Sequence, residues 1–166
     1  MWPRVWQMAC REEEIPEPGD HHVYWIIDRS VIVTRTPSGE IKGYINSCRH
    51  RGRCLRDESG SVDKFRCPFH GATWDLNGQF QGIPNQWDFE HIEGRDMSLP
   101  QVKVATWGGF VFINFDQDAP PLEEYMDVLP DHFKRFPLEE YFTGVHVQPV
   151  SYTHLTLPTN MHVYIS

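Results

Sequence analysis

Two short segments concentrate the metal-binding chemistry of this chain: Cys48-Arg49-His50-Arg51-Gly52 and Cys67-Pro68-Phe69-His70-Gly71. Each offers a thiol and an imidazole within three residues. Each ends in Gly, which lets the backbone turn tightly or pass close to a bound centre. Sixteen residues separate His50 from Cys67, enough for a strand pair to bring the second loop back beside the first. A lone Cys is commonly a small buried hydrophobe, but a repeated Cys-His-Gly loop is far more specific than either residue alone. Two Cys and two His suit a tetrahedral zinc site. Zinc fingers, however, usually group the two Cys on one side and the two His on the other. Here each loop gives one of each, which can put both thiolates on one iron and both imidazoles on the other iron of a [2Fe–2S] pair.

The elements that must carry these loops read as β. His21–Asp28 and Ser30–Arg35 are rich in β-branched and aromatic residues. The turn cluster Thr36-Pro37-Ser38-Gly39 predicts a hairpin between Val31–Arg35 and Ile41–Asn46. Phe65–Cys67, Thr73–Asp75 and Gln79–Gln81 are short strand candidates, with a turn at Asp75-Leu76-Asn77-Gly78. Val102–Thr106 and Phe110–Phe115 flank Trp107-Gly108-Gly109 as a second hairpin. Short strands with turns between them predict an all-β barrel or sandwich. After a polar linker at Asp116–Pro121, a helix is predicted over Leu122–Leu129, with Leu122, Tyr125, Met126 and Leu129 on one face and Pro130 as its stop. Phe142–Val147 could begin another strand.

At this point the two loops, Cys-X-His and Cys-X-X-His sixteen residues apart, resemble the Rieske motif. With Trp6, the Ile15–Asp20 turn, Leu99-Pro100 and Gly108–Asn114, the chain over roughly residues 5–149 is similar to the Rieske domain of aromatic-ring-hydroxylating oxygenase large (alpha) subunits. The resemblance implies an all-β Rieske [2Fe–2S] domain. A base sheet of three to four strands would support a smaller cluster-binding subdomain of about residues 46–81. It implies Cys48 and Cys67 on an inner iron and His50 and His70 on an outer one near the surface. The parent of such a domain would insert O2-derived oxygen into an aromatic or related organic substrate. Its electrons would come from NAD(P)H through a reductase, with or without a ferredoxin. A homotrimer is implied, with or without beta subunits. Oxygenation needs a mononuclear Fe(II) on two His and a carboxylate in a further domain, and nothing in this sequence matches that pattern. The fragment alone is therefore not expected to hydroxylate. Other readings are a free-standing Rieske ferredoxin and a zinc-binding structural module. Residues beyond Phe115 speak against the ferredoxin, which would end near there.

High-potential Rieske proteins carry an extra Cys in each loop, joined as a disulfide. Here Phe69 takes one of those positions and Cys54 is offset from the other, so no bridge is expected. Those proteins also have a Ser after the second Gly and a Tyr two residues on, whose hydroxyls bond the sulfurs. This chain has Ala72 and Trp74, which implies a potential near the low end of the Rieske range, ~−150 mV. Ala72 also departs from the oxygenases, where a large aromatic residue is common. Cys10 and Cys54 are expected as unliganded thiols, and His21, His22, His91 and His132 as surface residues. Arg49, Arg51 and Arg53 could steer an acidic electron donor.

The chain has 166 residues and a formal charge of −8. That sign argues against a nucleic-acid or anionic-membrane partner. No apolar run spans a bilayer, the acidic N-terminus is no signal peptide, and four Cys are too few for a disulfide scaffold. A cytoplasmic location is expected. Residues 1–118 are read as the Rieske domain and 119–149 as a linker with the start of a catalytic domain. Residues 150–166 contain no charged residue. Val150–Thr159 can be back-translated into the reverse complement of a transposase sequencing adapter, and this tail is read as translated adapter, with His154 and His162 carrying no function.

Overall fold

The computed structural model describes residues 2–144. The predicted tail at 150–166, His146 and the end of the predicted Phe142–Val147 strand lie outside the described residues. Phe142–Gly144 are not in a strand.

The described strands are β1 (Gln7–Arg11), β2 (Asp20–Ile26), β3 (Arg29–Arg35), β4 (Ile41–Ile45), β5 (Gly60–Ser61), β6 (Phe65–Arg66), β7 (Thr73–Trp74), β8 (Phe80–Gly82), β9 (Gln101–Trp107) and β10 (Phe110–Asn114). They form a seven-stranded antiparallel sheet in the order β1-β10-β9-β4-β3-β2-β5 and a three-stranded sheet β6-β7-β8. The large sheet curls until Tyr24 on β2 donates its hydroxyl to the Gln7 side chain on β1 (3.4 Å).

Both predicted hairpins form, with Arg35 opposite Ile41 and Phe110 opposite Trp107. The base sheet is larger than the three to four strands expected. The hairpins fuse where β4 meets β9, at Gly43↔Val102. A Cβ at Gly43 would sit 2.6 Å from a Val102 methyl, so only Gly lets these strands close. β1 escaped the sequence reading because Gln-Met-Ala-Cys-Arg lacks β-branched residues. β5 is too short to show a period.

Strand alternation sends side chains of β3 into two cores. Val31 and Val33 meet Cys10, Ile15, Val102, Val111 and Ile113 inside the curl. Ile32, between them, faces the other way with Tyr44 and packs on Phe65, Trp74, Ile83, Met97 and Leu99 of the small subdomain. The subdomain therefore rests on the sheet that orients it.

The predicted helix is corrected. It breaks into α1 (Leu122–Met126) and α2 (Leu129–Phe133), because Asp127 takes a positive φ (50°) that no helix continues through. Pro130 sits in the first turn of α2, where its missing N–H costs nothing, instead of ending a helix. Leu122 and Met126 are buried against Trp6, while Tyr125 and Leu129 are exposed. No described helix is long and apolar enough to cross a membrane.

Candidate metal centre

Both loops use one backbone frame. The Cys48 N–H donates to the Arg53 carbonyl (2.8 Å) and Gly52 N–H to the Cys48 carbonyl (2.8 Å). The Cys67 N–H donates to the Ala72 carbonyl (2.8 Å) and Gly71 N–H to the Cys67 carbonyl (3.0 Å). Gly52 and Gly71 both occupy the left-handed region, at φ 73° and 75°. Side chains avoid that region, which accounts for the Gly that closes each motif.

The frame brings the four expected residues together. Cys48 and Cys67 are buried, at 4% and 2% exposure, and His50 and His70 are half-buried. The imidazole rings lie 4.8 Å apart between centroids. Burial pushes the Cys48 thiol above its ordinary pKa. The backbone N–H groups of His50 and Arg51 pull it back down, and the Cys67 thiol beside it raises it. Burial, with His70 next to it, lowers His50. These N–H groups are placed to stabilise negative charge on the Cys48 sulfur against the burial that opposes it.

The donors fit a two-iron centre. His50 Nδ1 is buried and has no hydrogen-bond partner, an anomaly that a metal bond would remove. A lone tetrahedral ion takes all four donors on one position; a pair of irons takes two protein donors each.

Other expectations are sorted by the same geometry. All four Cys are free, with Cys10 buried and its thiol pushed up to about 12 by burial, and Cys54 donating to the Arg56 carbonyl (3.2 Å). His21 is not a surface residue. It is 1% exposed, set edge-on to Phe65, and its Nε2 accepts from Arg56 Nε (3.1 Å). Strand alternation turns it inward with Val23, a position that the polar pair His21-His22 disguised. His22 pairs with Glu14 (3.0 Å), and His132 is exposed. His91 is exposed yet lies 5.2 Å from the His50 ring, and Phe89 and Phe69 also touch the imidazoles. Asn46 was missed as well. Its side chain accepts from the N–H groups of Leu55 and Arg56 (both 3.0 Å) and donates to Ser30 Oγ (3.0 Å) and the Arg56 carbonyl (2.6 Å). A polar residue closing an apolar strand two positions before Cys48 was its only sequence signal.

A curled antiparallel sheet carrying a small subdomain with paired Cys-His loops defines an iron–sulfur domain, and the chain belongs to the Rieske [2Fe-2S] domain family, whose model matches residues 5–104. Its relatives are oxygenase large subunits. It is 34% identical over 125 residues to the chlorobenzene dioxygenase subunit alpha of Cupriavidus sp., covering 74% of this chain and 28% of that one. It superposes on the naphthalene 1,2-dioxygenase of Rhodococcus sp. bound to indole with a TM-score of 0.74 and 35% identity, covering 81% of this chain and 31% of that one. A quaternary ammonium Rieske monooxygenase, described with carnitine oxidation by gut microbiota and inter-subunit electron transfer, matches with a TM-score of 0.73 and 26% identity over 81% of this chain and 37% of that one. The chain thus spans well under half the length of these relatives.

Proposed function

We propose that this chain is the electron-transfer part of a ring-hydroxylating oxygenase large subunit. Cys48 and Cys67 would hold one iron of a [2Fe–2S] cluster as thiolates, and His50 and His70 would hold the other through ring nitrogens. The observation that carries this reading is the pairing of two identically framed loops around two buried thiols and two adjacent imidazoles, one with an orphaned nitrogen. Such a cluster, when bound, accepts and returns one electron at a time. The chain's own residues do the rest. The thiols are kept from water, the imidazoles stay half-exposed, and backbone N–H groups are aimed at the Cys48 sulfur.

In the intact oxygenase the donor would be a reductase or a ferredoxin, and the assembly a homotrimer in which electrons pass between subunits. The mononuclear iron and the substrate pocket would belong to residues other than those described, so these residues alone are expected not to hydroxylate. A cytoplasmic location suits cysteines that form no disulfide. Iron and acid-labile sulfide analysis of the purified chain, with EPR after reduction, tests the reading. Iron and sulfide in equal amounts with a Rieske-type signal is expected; zinc alone would overturn it.

A further inference from the structure

A third element reaches the imidazoles besides the two ligand loops. After β8 the chain makes two 3₁₀ turns, Gln86–Asp88 and Glu90–Ile92, before returning to β9. They are closed by the Asp88 N–H on the Asn85 carbonyl and the Ile92 N–H on the Phe89 carbonyl, both 2.9 Å. The segment is pinned on both sides. Ile83, Ile92, Met97 and Leu99 are buried in the subdomain core. Trp74 Nε1 donates to the Met97 carbonyl (2.6 Å).

Between these anchors two rings face His50. Phe89, packed on the same core, meets His50 edge-on at 5.2 Å and 90°, and also reaches His70 at 5.8 Å. His91 lies against His50 at 5.2 Å and 34°. Neither ring offers His50 Nδ1 a hydrogen bond, since that atom has no partner. Packing must therefore orient this imidazole before any metal arrives, and Phe89 and His91, with His70, are the rings that pack on it.

Resting on the ligand role proposed for His50, we infer that Phe89 and His91 are its positioning residues: their rings hold the imidazole with Nδ1 turned into the protein and keep water off its outer face. Reduction adds a negative charge to the centre. Water admitted by loss of a ring favours the more charged state, so the potential rises. A loosened imidazole also broadens the spectrum of the reduced centre.

The test uses the full chain loaded with ferrous iron and sulfide, in its parent form and with Phe89→Leu, His91→Ala and His91→Phe. Iron and sulfide content, the EPR spectrum of the reduced form and the reduction potential are measured for each. All four forms are expected to carry the same iron and sulfide. Phe89→Leu and His91→Ala should broaden the spectrum and raise the potential, whereas His91→Phe, which keeps a ring, should return both toward the parent. Parental spectra and potentials in Phe89→Leu and His91→Ala overturn the inference, as does His91→Phe behaving like His91→Ala. If Phe89→Leu fails to fold, the exposed His91 pair still decides it. A parent chain that takes up no iron and sulfide refutes the ligand reading itself, and this inference with it.

Discussion

The two ligand loops share a backbone but not a scaffold. The second is the tip of a strand pair: Phe65↔Trp74 and Arg66↔Thr73 lead directly into the Cys67–Ala72 bond, so the ladder itself sets the loop. The first follows β4 with no partner strand to close it. Asn46 does that work from the side, tying Leu55, Arg56 and Ser30 together through one amide. The residue two positions before each Cys shows the contrast: Asn46 in one case, fully buried Phe65 in the other. One geometry is reached once by polar networking and once by apolar packing. The loops should therefore fail in different ways.

The largest effect should treat the loops alike. Cys48→Ala or Cys67→Ala removes a proposed inner ligand, and iron and sulfide content is expected to fall to background in both, while Cys54→Ala keeps the full content. Retention of the cluster in Cys48→Ala would remove the symmetry between the loops. The scaffolds should then separate them. Phe65→Ala opens a void in the subdomain core and is expected to cost about 3–5 kcal/mol. Asn46→Ala strands the Leu55 and Arg56 N–H groups and is expected to cost about 2–4 kcal/mol. Denaturant unfolding measures both losses. Hydrogen exchange distinguishes them, since Asn46→Ala should speed exchange in residues 47–57 and leave Cys67–Ala72 protected.

The closing glycines make a finer version of the same contrast. Both need a left-handed backbone, but a Cβ at Gly71 would lie 3.1 Å from Pro84, while at Gly52 it would meet only Ser47 Oγ at 3.8 Å. Gly52→Ala should cost about 1 kcal/mol from backbone strain alone, and Gly71→Ala about 2–3 kcal/mol with the added crowding. Equal losses in thermal unfolding would mean that Pro84 yields freely.

The second loop was the more legible of the two in the sequence, for this same reason. Phe65–Cys67 and Thr73–Asp75 announce themselves as strands, so the hairpin and its tip follow from local pattern. The four candidate ligands stand out through type and spacing. What escaped was whatever depends on distant partners. Asn46 reads as a polar strand end until Leu55 and Arg56 come back to it. His21 reads as surface until β5 and the Arg56 loop cover it. Phe89 and His91 sit in a segment without periodicity, and the core anchors on either side, Ile83 and Ile92, are what place them beside His50. β1 joins the sheet through β10, about a hundred residues later, and its own sequence has little β propensity.

Acid should affect the first loop through a group remote from the ligands. Burial lowers the pKa of His21 below its ordinary 6.5, helped by the neighbouring Arg56 charge and opposed by its bond to the Gly19 carbonyl and by Asp20. The unfolded chain then binds the proton more readily than the folded one. The stability from neutral His21 is complete above pH 6.5 and is lost as pH falls from there through the lowered value. Arg56, which donates to His21 Nε2, also carries the backbone that Asn46 holds. Hydrogen-exchange protection in residues 54–60, corrected for the intrinsic pH dependence of amide exchange, is therefore expected to fall as the pH drops below 6.5, ahead of Cys67–Ala72, and His21→Asn should flatten that difference. Simultaneous loosening of both loops would count against it.

The smallest expected difference lies in what each loop offers to sulfur. In the first, the His50 and Arg51 N–H groups reach the Cys48 sulfur. In the second, the hydroxyls and indole that could help are already engaged. Thr73 Oγ1 donates to the Gly71 carbonyl (2.9 Å), Trp74 Nε1 to the Met97 carbonyl (2.6 Å), and Ala72, fully buried, has no hydroxyl. Each hydrogen bond to a cluster sulfur spreads its charge and favours the reduced state, so a loop without side-chain donors leaves the oxidised state favoured. The potential is accordingly expected near the low end of the Rieske range, ~−150 mV. Ala72→Ser adds one small donor beside the second loop and should raise it modestly. A parent value above zero, measured by redox titration of the EPR signal, would show that backbone donors alone set the potential and that the missing hydroxyls are immaterial.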